Sequence, residues 1–225
     1  MLFNSRRSPV FARNGMVATS QPIAAMAGLK ILMEGGNAVD AAVASAATLN
    51  VVEQESTGIG GDLFALVLNS NIKSIRALNA SGYSSSEASI PELKSQGYDY
   101  IPPQSPYAVT VPGTVSGWHT LIEECGTMPL AKVLDPAIGY AREGFAMTPI
   151  IADAIDQASP KLLSRPSGKE LLKNGRPAQY GEIVRFRELA DSLQVIAAVS
   201  YTHLRAHETE ADLVCRHKLE KKRGW

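Results

Sequence analysis

Residues 55–64 read Glu-Ser-Thr-Gly-Ile-Gly-Gly-Asp-Leu-Phe, and Gly58, Gly60 and Gly61 ahead of Asp62 are the nearest approach in the chain to a phosphate cradle. A Walker loop needs a lysine and a hydroxyl residue after its last glycine, to reach the outer phosphates and hold magnesium. Asp62 and Leu63 stand there instead. A dinucleotide fingerprint runs strand, loop, helix, because the helix N-terminus binds the pyrophosphate. Here an alanine-rich helical stretch precedes the loop and an alternating, strand-like run follows it. A carboxylate at Asp62 would also repel an anion. The expectation is a structural glycine loop, a tight crossing where a helix hands over to a sheet, with glycine supplying positive φ.

The second cluster with ligand chemistry is the C-terminal stretch. His203 and His207 are four residues apart, which places two ligands on one helical face, and Cys215 with His217 would complete a zinc tetrahedron. Such spacing arises easily in a histidine-rich stretch and no Cys-x-x-Cys pair supports it, so no metal is expected. His119 beside Trp118 reads as a packed or surface histidine, and Cys125 before Gly126 as a small core residue at a helix end. Asp40 reads as a cap or brace at a helix start.

Composition narrows the class. Of 225 residues 45% are hydrophobic, and 22 Lys and Arg balance 22 Asp and Glu, which suits a globular protein of one or two domains and gives no basic footprint for nucleic acid. Two cysteines are too few for a disulfide framework. No stretch is apolar for the length a bilayer requires. A cytoplasmic protein without a nucleic-acid or membrane partner is the default expectation.

These residues need elements to position them. A helix is expected through residues 19–36, with Thr19 or Ser20 as N-cap, Pro22 in the first turn and Gly35-Gly36 at the end. A second, alanine-rich helix capped by Asn37 follows, buried because small side chains let neighbouring backbones come close. Residues 62–79 read as a hairpin turning at Asn69-Ser70-Asn71. Tyr107 to Val111 is expected as a third short strand, followed by a Pro112-Gly113 turn and a helix from Thr114 that Gly126 closes. Further helices are expected on both sides of Pro136, after Thr148, and over 184–199 with Phe186, Leu189, Leu193 and Ile196 on one side. Helices, then strands, then helices indicate a layered α+β fold and not a βαβ repeat.

The segments "MVATSQPIAAMAGLKILMEGGNAVDAAVASAATLNVVEQESTGIGGDLFALV" and "TVPGTVSGWHTLIEECGTMPLAKVLDPAIGYAREGF" resemble the start of the large subunit of gamma-glutamyltransferases. The likeness runs from about Pro9 to about Ala198. It implies an N-terminal nucleophile hydrolase, an αββα sandwich of which this chain is an incomplete large-subunit fragment. It further implies a precursor that cuts itself to free a threonine, whose own α-amino group serves as base. The acyl group of a γ-glutamyl compound passes to that threonine and then to water or an amine. No cofactor is implied, and the implied partners are a small acyl-amide substrate and the missing small subunit.

Two departures modify these implications. Many members carry an arginine after the hairpin that forks onto the α-carboxylate of the glutamyl group. Here the stretch is "ALNASGYSS", and Ser81 falls at that position, so Asn79 and Ser81 are the expected substrate-binding residues, offering neutral hydrogen bonds. This form is similar to the branch with cephalosporin and glutaryl acylases; the alternative is a strand end built of turn formers. Secondly, nothing resembles the small subunit. Thr202-His203 imitates part of its nucleophile motif without the surrounding pattern, so no catalytic residue is expected in this chain. Residues 1–199 read as the family fragment, and 200–225 as an unrelated tail resembling translated adaptor or vector sequence.

Overall fold

A computed structural model of the chain describes residues 9–69, 73–86, 88–103, 105–164, 168 and 171–198. The histidine-rich tail, with Thr202, His203, His207, Cys215 and His217, lies outside the described residues. So do Ser70 and Asn71 of the expected hairpin turn.

The chain opens with α1 (Pro22–Met33) and α2 (Ala38–Val52), which pack on each other. Pro22 occupies the first turn of α1, where its missing N–H costs nothing. The N-cap is Gln21 and not Thr19 or Ser20. The Ser20 hydroxyl instead donates to Glu53 at the far end of α2 (2.6 Å), which draws it out of capping range.

The start of α2 carries the best-satisfied polar group of the fold. Asn37 Oδ1 accepts from the backbone N–H of Val39 and Asp40, and Asp40 Oδ2 accepts in return from Asn37 N–H at 2.8 Å, closing a capping box. Asp40 is 0% exposed and takes three more donors: Thr127 N–H, Thr127 Oγ1–H at 2.6 Å and Met128 N–H. Asn37 Nδ2 donates to the Cys125 carbonyl at 2.7 Å. One residue pair therefore fixes a helix start against a loop almost ninety positions away, and charge-assisted bonds to a buried carboxylate are the strong kind.

The hairpin follows as expected, β1 (Leu63–Asn69) antiparallel to β2 (Ser74–Ala80), with Leu63 opposite Ala80 and Asn69 opposite Ser74. Leu63, Ala65, Val67 and Leu78 share the face packed on the core. The other face carries Phe64, Leu66, Leu68 and Ile75, which are 66–79% exposed.

A short helix, α3 (Ile90–Ser95), was not anticipated; Ser89 caps it and Pro91 sits in its first turn. The expected strand at Tyr107–Val111 is corrected to a 3-10 turn over Pro106–Ala108 and one isolated bridge, Thr110 with Ser84. Pro106 starts that turn, and Ala108 and Val109 donate back to Ser105 and Pro106, so those groups are unavailable to a ladder.

Next come α4 (Thr114–Cys125), which packs on both hairpin strands, and α5 (Leu130–Glu143), which runs through a buried Pro136. A two-residue strand β3 (Phe145–Ala146) pairs with β4 (Ile183–Val184) around α6 (Pro149–Leu163). The described part closes with α7 (Arg187–Ala198). Leu193 is buried, Leu189 and Ile196 pack partly on the core, and Phe186 lies one residue before the helix, tilted against Phe145 with ring centroids 6.1 Å apart. The core runs through α1, α2, α4, α5 and α7, with Ile31, Val43, Val51, Trp118, Leu134 and Leu193 fully buried.

Candidate functional site

Because Leu63 pairs with Ala80, Asp62 and Ser81 leave the hairpin side by side. At that end three loops meet: the glycine loop before β1, residues 81–84 after β2, and residues 110–114 before α4. The Gly61 carbonyl accepts from both Gly113 N–H (2.9 Å) and Thr114 N–H (3.0 Å). Asp62 Oδ1 accepts from Gly82 N–H (3.0 Å) and the Thr110 hydroxyl (3.1 Å), and the Asp62 carbonyl accepts from the Thr114 hydroxyl at 3.2 Å. Asp62 is the clasp of the junction. Its carboxylate works because it can accept several donors at once.

The two expected substrate residues lie on this lip. Asn79 Oδ1 accepts from Ser81 N–H at 2.9 Å, a turn closed by its own side chain, while Ser81 is exposed. Gly61, Asp62, Asn79 and Ser81 are thus brought together; the Gly58 carbonyl joins them by accepting from Gly61 N–H at 3.0 Å, while the space over Gly58 and Gly60 is open.

The conformational reason expected for the glycine loop is corrected. Gly58, Gly60 and Gly61 do not have positive φ, and a Cβ on Gly58 or Gly60 would meet nothing within 4 Å. The close backbone approach occurs elsewhere in the junction. A Cβ on Gly82 would lie 1.6 Å from the Val111 carbonyl oxygen, and one on Gly113 would lie 1.9 Å from that of Ala80. Only glycine fits at those crossings. Gly82, Gly113, Thr110 and Thr114 therefore belong to the junction as well, and their signal in the sequence is the Pro112-Gly113-Thr114 turn and the glycine after Ser81.

Behind the loop a cleft of about 460 Å³ opens between the end of α2, the glycine loop and the start of α4. Glu55 and Asp62 line it together with neutral residues, and no Lys, Arg or His does. Burial pushes the Glu55 carboxyl above its usual range, outweighing its hydrogen bonds. Such a wall repels phosphate. Among the described residues no group of three or more His, Cys, Asp or Glu could hold a metal, and no helix is long and apolar enough to cross a membrane.

The three remaining residues singled out in the sequence lie away from this junction. Asp40 is the buried brace described above. His119 Nδ1 faces Glu123 at 3.3 Å along α4. Cys125 is half-buried with its sulfur 3.8 Å from Arg76.

The family profile described as gamma-glutamyltranspeptidase matches residues 24–215, most of the chain. This chain belongs to the gamma-glutamyltranspeptidase family. The glutathione hydrolase-like YwrD proenzyme of Bacillus subtilis is 38% identical over 84% of this chain and 36% of its own length. The acylase ACY 1 proenzyme of Pseudomonas sp. (strain SE83) is 36% identical over 87% of this chain and 37% of its own. Among solved structures, Helicobacter pylori gamma-glutamyltranspeptidase superposes with a TM-score of 0.78 at 31% identity, over 85% of this chain and 56% of that one. The fold is therefore the α+β N-terminal nucleophile hydrolase fold, of which the described residues supply a helical layer and one hairpin. The chain spans a little over a third of the length of these curated relatives. The family match crosses residue 199, where the sequence reading set its boundary.

Proposed function

We propose that the gene product to which this family segment belongs transfers or hydrolyses the acyl group of γ-glutamyl or related amides, through a threonine freed by self-cleavage. The observation that carries this reading is the family match over residues 24–215, with relatives that are themselves proenzymes. The role of this segment is to frame the acyl pocket, with the lip of Asn79 and Ser81 held in place by Asp62. The nucleophile belongs to the remaining part of the protein, so the 225 residues alone are expected to leave a γ-glutamyl anilide uncleaved.

A second reading, an acylase for glutaryl-type side chains, is favoured by the same lip. Ser81 and Asn79 offer neutral groups where a fork of charged donors would grip an α-carboxylate, and the acylase ACY 1 proenzyme is almost as similar as the glutathione hydrolase-like relative. Neutral hydrogen bonds are the weaker kind.

Kinetics on a complete homologue carrying "ALNASGYSS" separate the two. Under the γ-glutamyl reading glutathione is turned over with a weak KM, and Ser81→Arg lowers that KM by about tenfold or more, the worth of one charge-assisted bond. Under the acylase reading a glutaryl anilide is the better substrate and Ser81→Arg harms it. A micromolar KM for glutathione in the unaltered enzyme would count against a weakened grip. We also propose that residues 200–225 are foreign to the gene, on their resemblance to translated adaptor or vector sequence; the family match as far as residue 215 is the observation against it. A long read of the source DNA through the codons for Val195 to Arg205 tests this; an unbroken genomic frame ending after Trp225 would refute it.

A further inference from the structure

The outward side of α1 carries an apolar row that nothing among the described residues covers. Met26 is 61% exposed, Leu29 44% and Met33 80%, and Pro22 at the start of the helix is exposed as well. The opposite side, with Ala24, Ala27, Gly28 and Ile31, is buried against the rest of the fold. A surface helix ordinarily turns polar side chains to water, and α1 has one charged residue, Lys30, in twelve. Residues 22, 26, 29 and 33 are spaced four, three and four, the a/d spacing of a seam between two helices. Met16, 55% exposed, widens the row: a Cβ on Gly15 would lie 3.2 Å from Leu32 and one on Gly28 would lie 3.1 Å from Val17, so the segment runs alongside the helix.

The two ends of the row differ in charge. At the N-terminal end the carboxylate of Glu53 accepts from the Ser20 hydroxyl at 2.6 Å and has room for further donors. Toward the C-terminal end stands Lys30, only loosely paired with Glu34 at 3.9 Å, because Glu34 has a closer partner in Lys132 at 2.9 Å. Two copies of α1 laid antiparallel match the row to itself, 22 to 33 and 26 to 29, and bring Lys30 of each copy toward the Glu53 end of the other. The helix dipoles then oppose, whereas a parallel pair would set like ends together.

We propose that α1 is a self-association surface on which the α1 of a second copy of this chain docks antiparallel, Met26 against the partner's Leu29 and Met33 against the partner's Pro22. Methionine suits a surface that is wet in the monomer and dry in the pair, being unbranched and adaptable. A helix of 12 residues is about 18 Å long, so the contact falls short of the roughly 800 Å² per partner of a standard interface and belongs to the weak, reversible class. The inference is independent of the acyl chemistry proposed above.

The test is sedimentation velocity on the 225-residue chain carrying Leu66→Lys and Leu68→Lys, which takes the exposed hairpin face out of play, over a range from about 5 to about 500 μM. The expected result is a monomer–dimer equilibrium with a dissociation constant on the order of 100 μM. Adding Met26→Lys and Met33→Lys should weaken it by about tenfold or more and leave the melting temperature unchanged, since both side chains are already in water. A monomer at every concentration, or a variant that associates equally well, overturns the proposal. Orientation has its own readout in the same background with Cys125 and Cys215 replaced by serine. An equimolar mixture of Pro22→Cys and Met33→Cys chains should form the mixed disulfide on mild oxidation, because bridged Cα atoms lie within about 7 Å. Met33→Cys linking to itself in preference would mean a parallel pair and overturn the arrangement.

Discussion

Asp40 and Asp62 are both aspartates that fasten distant loops, yet they sit in halves of the molecule with different demands. Asp40 is fully buried and takes donors from Asn37, Thr127 and Met128, so its carboxylate is satisfied from within the helical half. Asp62 is exposed, its loop carries open space over Gly58 and Gly60, and the adjoining hairpin turns Phe64, Leu66, Leu68 and Ile75 to solvent. The helical half is built like a finished core. The hairpin half is built like one side of an interface, because a contiguous apolar face is rarely left to water.

The strongest way to break the comparison is Asp40→Ala. It leaves the N–H groups of Asn37, Thr127 and Met128 without their buried acceptor, and a loss of about 3 kcal/mol or more is expected. Circular dichroism on heating should show a large fall in the midpoint or no cooperative transition. An unchanged midpoint would mean that the helical half does not depend on this brace.

Gly113→Ala acts on the other half. The added methyl collides with the Ala80 carbonyl, so the junction must open, at about 1–3 kcal/mol or more for an overpacked site. Hydrogen exchange should then report lost protection in β1 and β2 with α2 unaltered. Equal loss in both halves would show one cooperative unit where the contacts suggest two.

Leu66→Lys with Leu68→Lys sharpens the interface reading. Stability should move by no more than about 0.5 kcal/mol, since both side chains are already exposed, while self-association measured by light scattering should fall. A large destabilisation would mean that the face packs against something within this chain.

The smallest effect concerns pH. Glu182 accepts from Arg176 and from Gln179 N–H, which hold its carboxyl down to about 2 from its ordinary 4.5. A depressed acid stabilises the loop above its unfolded value and loses that contribution as pH falls through the folded one. The Gln179 amide resonance should therefore stay constant down to about pH 3 and move through a midpoint near 2. A midpoint near 4.5 would show that the clip is not formed.

How much of this could be read in the chain beforehand differs between the same two halves. The cap at Asn37, the end of α4 at Gly126, and the helix through Pro136 followed from local rules, since capping and periodicity act over a few residues. The strand expected at Tyr107–Val111 failed because Pro106 favours a tight turn, a local signal outweighed in the reading by the alternation after it. The positive φ expected of Gly58, Gly60 and Gly61 failed for another reason: a run of glycines marks permission and not use.

By itself the sequence determined the longer helices, the hairpin, the Asn37 cap and, through long motifs in order, the family. Each of these is set by neighbours in the chain or by a pattern long enough to be specific. Tertiary structure alone decided that Asp40 would be bonded to Thr127 and that Gly82 and Gly113 rather than the glycine run mark the backbone crossings. Those facts depend on which segments meet, and close approach between residues far apart in the chain leaves no periodicity to read.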